Sequence, residues 1–251
     1  MAELKLAEQL KANDKVFKKS GHLFDLDHLR RKEEDPGSYE ALWHILSNMC
    51  NIAWEVGCKV SSSPIAVEGG DALWALHLPT GEAICVSRGI TAHPGLLADM
   101  IRSFIELGYE DMPGFSEGDI FENNDPHYGG IHAPDFDTAM PIFHEGRLIA
   151  WASCVTHVSD SGSVTPGSVG FLNPDCYSDG VPISMEKVGE NDAYYPWYDM
   201  RIRSRTRTPD FVLGDAKGRL AGCITMRERL MDVIDKYGID FFRDATHEFV
   251  E

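Results

Sequence analysis

The sequence predicts an α+β fold in which helices pack on an antiparallel β-sheet. Three observations predict it: stretches with helical apolar spacing, apolar runs folded back at turn residues, and an order of helix, hairpin, helix, hairpin, helices with no internal repeat. A chain of 251 residues, 43% hydrophobic and 25% charged, can bury a substantial core.

Residues 1–35 are charged, with apolar positions at helical spacing, and read as a peripheral docking arm, helical or extended, ahead of a domain over 36–251. From Ser38 to about Gly57, SYEALWHILSNMCNIAWEVG places Leu42, Ile45, Leu46, Met49, Ile52 and Ala53 on one face. Ser38 is the expected N-cap and Gly57 the residue just past the end. Between Ile65 and Val86 short apolar runs broken by Pro79-Thr80-Gly81-Glu82 predict two strands and a turn. GLLADMIRSFIELG, residues 95–108, gives a second amphipathic helix closed by Gly108. GDIFENNDP has a strand-like start, and TAMPIFHEGRLIAWASCVTHV reads as a hairpin turning at Glu145-Gly146. Beyond Asp160 the chain is rich in Gly, Ser and Pro, which predicts a long loop. A helix is expected from about Arg205 to Tyr237, interrupted near TPDFVLGD, and then a shorter one.

The formal charge of −17 argues against a nucleic-acid partner, because phosphate binding needs a basic face. No run of about twenty apolar residues and no secretory leader is evident, so a cytoplasmic protein without membrane contact is expected. The six cysteines never form C-x-x-C and are expected to be reduced and mostly buried. There is no G-x-S-x-G elbow, no recognisable cysteine nucleophile and no G-x-x-x-x-G-K-[ST] phosphate loop, so any ATP used is expected to bind elsewhere.

Six of the ten histidines lie between positions 77 and 157. His132 and Asp135 stand three apart directly after Gly129-Gly130, and His157 ends an apolar run that would hold its ring rigidly at the mouth of the core. Two imidazoles and a carboxylate suit Mn²⁺, Fe²⁺ or Zn²⁺. Asp71, after two glycines in VEGGDAL, is a candidate fourth ligand. Asp125 and Asp160 are expected to orient the imidazoles. His77, His93, His127 and His144 are expected to be structural or surface residues. No residue stands out as the catalytic acid or base.

The run GDIFENNDPHYGGIHAPDFDTAMPIFHEGRLIAWASCVTHVSDSGSVTPGS resembles the hydantoinase B family, whose members share an NDP-x-x-GG-x-H-x-PD block, an apolar hairpin, and then His and Asp before a PGS loop. THVSDSG, KVGENDAYY and RLAGC look more like the metal-binding subunits of the acetone and acetophenone carboxylases than like the hydrolases. The resemblance runs from about Ser63 to Gly222. It implies a divalent metal, Mn or Zn or Fe, on His132, Asp135, His157 and, where Glu is expected, Asp71. It also implies a hetero-oligomer with a hydantoinase A-like ATP-binding subunit and further small subunits, joining an enolate from a ketone to CO₂ derived from bicarbonate. ATP-dependent cyclic-amide hydrolysis, of the hydantoinase or oxoprolinase type, is the second reading. Family members continue well beyond the equivalent of Glu251, so a truncated, non-catalytic scaffold is the third.

Overall fold

In the computed structural model, which describes residues 4–251 except 91, 168 and 171, seven strands form one antiparallel sheet covered by helices on both faces. The elements are α1 (Leu6–Ser20), α2 (Arg30–Glu34), α3 (Pro36–Val60), β1 (Ala72–His77), β2 (Ala83–Val86), α4 (His93–Glu106), β3 (Ile120–Asn123), β4 (Asp135–His144), β5 (Arg147–His157), β6 (Glu186–Glu190), β7 (Ala193–Tyr194), α5 (Pro196–Arg205), α6 (Pro209–Tyr237) and α7 (Ile239–Val250). The sheet order is β2-β1-β5-β4-β3-β6-β7. The predicted α+β class is the observed one.

Side chains alternate across the pleat, so each central strand feeds two cores. On one face Trp74, Leu76, Phe136, Met140 and Cys154 pack with Leu42, Leu46 and Met49 of α3 and Cys223 and Met226 of α6. On the other, Leu73, Ala75, Phe121, Ala139, Trp151 and Val155 pack with Leu97, Met100, Ile101 and Phe104 of α4. Both faces being covered explains why every residue of β1 is buried.

Several boundaries differ from those expected. The N-cap of α3 is Asp35, whose carboxylate accepts from the Ser38 backbone N–H, and Pro36 takes the first helical position. Gly57 does not end the helix: it lies inside α3, where a Cβ would come within 2.2 Å of the Trp74 ring. Gly222 of α6 meets the same indole, so two glycines form the slot that seats Trp74 between α3 and α6. Ile65–Gly69 forms a single π-helical turn, and the first strand starts only at Ala72. The break in the C-terminal helix falls at residues 206–208, ahead of Pro209, while Phe211–Asp215 are helical. Gly214, which reads as a breaker in the sequence, instead lets the helix approach Ser62.

Residues 6–20 and 30–34 are helical and fold back on the chain. Leu6 and Leu10 join the core under α4, and the Glu248 carboxylate of α7 accepts from the Arg31 and Lys32 backbone N–H groups. Of the six cysteines, Cys176 is exposed and the other five are buried, all as free thiols. No helix among the described residues is long and apolar enough to cross a membrane.

Candidate metal centre

Three adjacent strands present one row of polar side chains at their ends. Ala72 pairs with Thr156, and the ladder continues one residue further, where His157 N–H donates to the Asp71 carbonyl. On its other side His157 pairs with Asp135. Residues opposed across antiparallel strands share a face, so Asp71, His157 and Asp135 project together toward the α4 side of the sheet.

The hairpin makes this row possible. Glu145 and Gly146 both have positive φ, as a tight two-residue turn demands, which agrees with the turn expected there. Counting back from that turn, a uniform register would set Asp135 against Thr156. The irregularity between Ile142 and Phe143 inserts Ile149 as an extra residue in β5 and shifts the register by one. That shift puts His157, rather than Thr156, opposite Asp135.

His132 arrives from the loop before β4. The Asp135 N–H donates to the His132 carbonyl, closing a turn that folds the imidazole over the carboxylate. The loop is seated by Gly129, whose φ is +100° and where a Cβ would meet the Leu96 carbonyl of α4 at 2.3 Å, a position only glycine can fill. Asp125 caps the preceding turn.

One Asp135 carboxylate oxygen lies 3.0 Å from His157 Nδ1 and the other 3.2 Å from His132 Nε2. Ligand atoms of these three residues all fall within 4.8 Å of one another. A divalent ion with bonds of about 2.0–2.2 Å holds neighbouring ligand atoms roughly 3 Å apart, so the donor set and its spacing fit a transition-metal ion. Asp71 stands further out, with its carboxylate 3.9 Å from His157 Nδ1.

Burial raises the pKa of the Asp135 carboxyl, but hydrogen bonds and charge from His132 and His157 outweigh it and hold the group at about 2. The bond to Asp135 raises the pKa of His132, against the effect of burial. One step inward on the same face, Asp137 is pushed well above the carboxylate range by burial and by the charge of Asp135, and its Oδ2 has no partner among the described residues.

Asp125 and Asp160 do not orient the imidazoles. Asp125 accepts from the His127 N–H and the Ser184 hydroxyl; Asp160 accepts from Gly162 N–H and from Arg207. Both are short acidic residues in Gly-rich and Pro-rich segments, and local backbone donors reach them first. Asp160 instead braces the loop beyond it, which with His132, Pro134 and Asp179 encloses a cavity of about 160 Å³. Asn173 ties that loop together, bonding Ser163, Ser178 and Asp179.

Among the other histidines, His127 is exposed, His144 sits half-buried at the hairpin tip, and His77 is buried with Nδ1 on the Gly81 carbonyl. His93 is the one that sequence reasoning missed. It is 2% exposed at the first residue of α4, and its electrostatic neighbours are Asp135, Asp71, His132 and His157. Nothing in its surroundings in the sequence, ITAHPGLL, marks it.

The model of the Hydantoinase B/oxoprolinase family matches residues 35–251. The acetone carboxylase alpha subunit of Xanthobacter autotrophicus is 34% identical over 93% of this chain and 30% of its own length. One subunit of a putative D-/L-hydantoinase from a Pseudomonas species is 28% identical over 89% of this chain and 38% of its own. The nucleotide-free structure of acetone carboxylase superposes with a TM-score of 0.94 and 32% identity, over 97% of this chain and 32% of that one. The chain thus spans about a third of the length of these relatives. With the match covering the sheet, both helical layers and the polar row alike, the chain belongs to the hydantoinase B/oxoprolinase family.

Proposed function

We propose that this chain is the metal-binding portion of an ATP-dependent ketone carboxylase subunit. The observation that carries the reading is the His132, Asp135 and His157 set, with ligand spacing, in a fold that matches part of acetone carboxylase over 97% of this chain. His132 and His157 keep the Asp135 carboxylate ionised and fixed in direction, and Asp71 supplies a second carboxylate at the edge of the set. A bound divalent ion, Mn or Zn or Fe, would supply a Lewis acid for an enolate or carbonyl oxygen. The cavity beside His132 offers a small substrate a place next to the ligand set. ATP is handled by a hydantoinase A-like partner, in keeping with a sequence that carries no phosphate loop. Residues 4–34, though packed on the chain through Leu6, Leu10 and the Glu248 carboxylate, lie outside the strand row and leave an exposed face for such partners.

Metal analysis of the purified protein beside His132→Ala and His157→Ala tests the first half: both variants should lose the ion, and unchanged content in both sinks the reading. The similarity to a hydantoinase favours cyclic-amide hydrolysis as the second reading. Bicarbonate dependence of ATP turnover in the assembled complex separates them, since hydrolysis of an amide has no need of bicarbonate.

A further inference from the structure

Helix α4 begins beside the polar row, and among the described residues no side chain caps it. The residue before it, Ala92, has no side chain able to cap; the His93 N–H donates to the Ile90 carbonyl, and among the described residues the Gly95 N–H has no acceptor outside the helix. Pro94 contributes no N–H, and a Cβ placed on Gly95 would meet nothing within 4 Å, so the backbone there borders open space. Gly129 packs against Leu96 and Met100, fixing this end of the helix against the loop that delivers His132.

His93 is the second observation. Its side chain is almost completely buried, yet among the described residues its ring makes no hydrogen bond and no ion pair. A buried imidazole ordinarily satisfies at least one nitrogen. The groups whose charges it senses are Asp135, Asp71, His132 and His157, so the ring lies near that site, where Gly129 packs the start of α4 against the loop that carries His132. It is nevertheless outside the set of atoms lying within 4.8 Å of one another, which separates it from the ligands.

We propose that His93 and the uncapped first turn of α4 form an oxyanion subsite beside the His132, Asp135 and His157 cluster, taking a carboxylate, bicarbonate or enolate oxygen. The imidazole N–H donates to the oxyanion, and the Gly95 N–H and positive end of the helix stabilise its charge. The subsite rests on the metal-centre reading, because Asp71 and Asp135 would repel an anion without a cation between them.

The test uses the full chain loaded with Zn²⁺ and ¹³C-labelled acetate as the probe, with zinc content measured in parallel. His93→Leu should weaken acetate binding about tenfold or more, as losing a hydrogen bond to a charged group does, with zinc content unchanged. His93→Gln, which keeps a donor, should recover most of the affinity. In the wild type the His93 ring ¹⁵N resonance, assigned by its loss in His93→Gln, should shift on adding acetate, a reading available even where His93→Leu fails to fold. Wild-type protein that binds no acetate, an unmoved ¹⁵N resonance, or equal affinity in His93→Leu overturns the subsite. Loss of zinc from both variants also overturns it, making His93 a ligand. A protein that never holds zinc fails the metal-centre reading, whereas zinc without His93-dependent acetate binding fails only this one.

Discussion

The sheet carries a buried polar cluster on each face, and the two differ in whether their valences are filled. On the α6 face Arg219 and Glu122, both fully buried, pair at 2.8 Å in mid-sheet. Arg219 also donates to Thr138 and Thr156 while Tyr194 and Tyr198 donate to Glu122, so one guanidinium ties β3, β4 and β5 together and every partner is protein. On the α4 face, at the strand ends, Asp135 holds two imidazoles, His132 is a third exposed, and the His93 ring makes no hydrogen bond or ion pair among the described residues. Charge and burial are common to both. Completeness separates them: the sealed network holds strands in place, and the open one has donors and acceptors left for something that is not protein.

The largest effect should come from breaking the sealed side. Arg219→Met leaves the Glu122 carboxylate buried without its counter-charge, which typically costs about 3–5 kcal/mol. Urea denaturation should show a loss of that size, and a loss below about 1 kcal/mol would mean that water or rearranged tyrosines replace the guanidinium. Metal content per folded molecule should stay as in the wild type, since the network lies across the sheet from the strand row.

Next in size is the open side. Metal at one hundred times its Kd should stabilise the wild type by about 2.7 kcal/mol, and His132→Ala should remove that gain. Without metal, His132→Ala should cost only about 1 kcal/mol, the worth of one partly exposed hydrogen bond. Thermal melts with and without added metal read both quantities. A metal-free loss as large as that of Arg219→Met would place His132 among the structural residues and erase the contrast between the faces.

How much of this was legible follows from where each signal lies along the chain. His132 and Asp135 are three residues apart behind a Gly-Gly pair, and His157 ends a long apolar run, so local pattern suffices to nominate them. The hairpin turn was legible too, because Gly146 between two apolar runs takes a positive φ at no steric cost. The extra residue at Ile149 was not, since nothing in LIAWAS distinguishes a bulged isoleucine from a paired one, and yet it decides which side chain faces Asp135. Helix ends failed for a related reason: Gly57 and Gly214 look like terminators, and only the positions of Trp74 and Ser62 in space make them contact glycines. His93 reaches the site from a separate helix, and no spacing rule links it to residues forty positions away.

The smallest expected effect tests the border between the two kinds of region. Asp160 is almost wholly buried and, from its place after His157, reads as a group that steers an imidazole, but its carboxylate accepts from Gly162 N–H and Arg207. Asp160→Asn keeps the size and one acceptor but loses the ion pair to Arg207 and turns an NH₂ toward a backbone N–H, a change of about 1–2 kcal/mol. Metal affinity should not change, because none of its bonds reaches the strand row. Substrate affinity should fall instead, since Ser161 and Ser163, which line the cavity beside His132, sit on the loop that Asp160 braces. A drop in metal affinity with unaltered substrate binding would reverse the assignment, showing that Asp160 acts through the imidazoles after all and that the open cluster extends one residue pair further than its hydrogen bonds indicate.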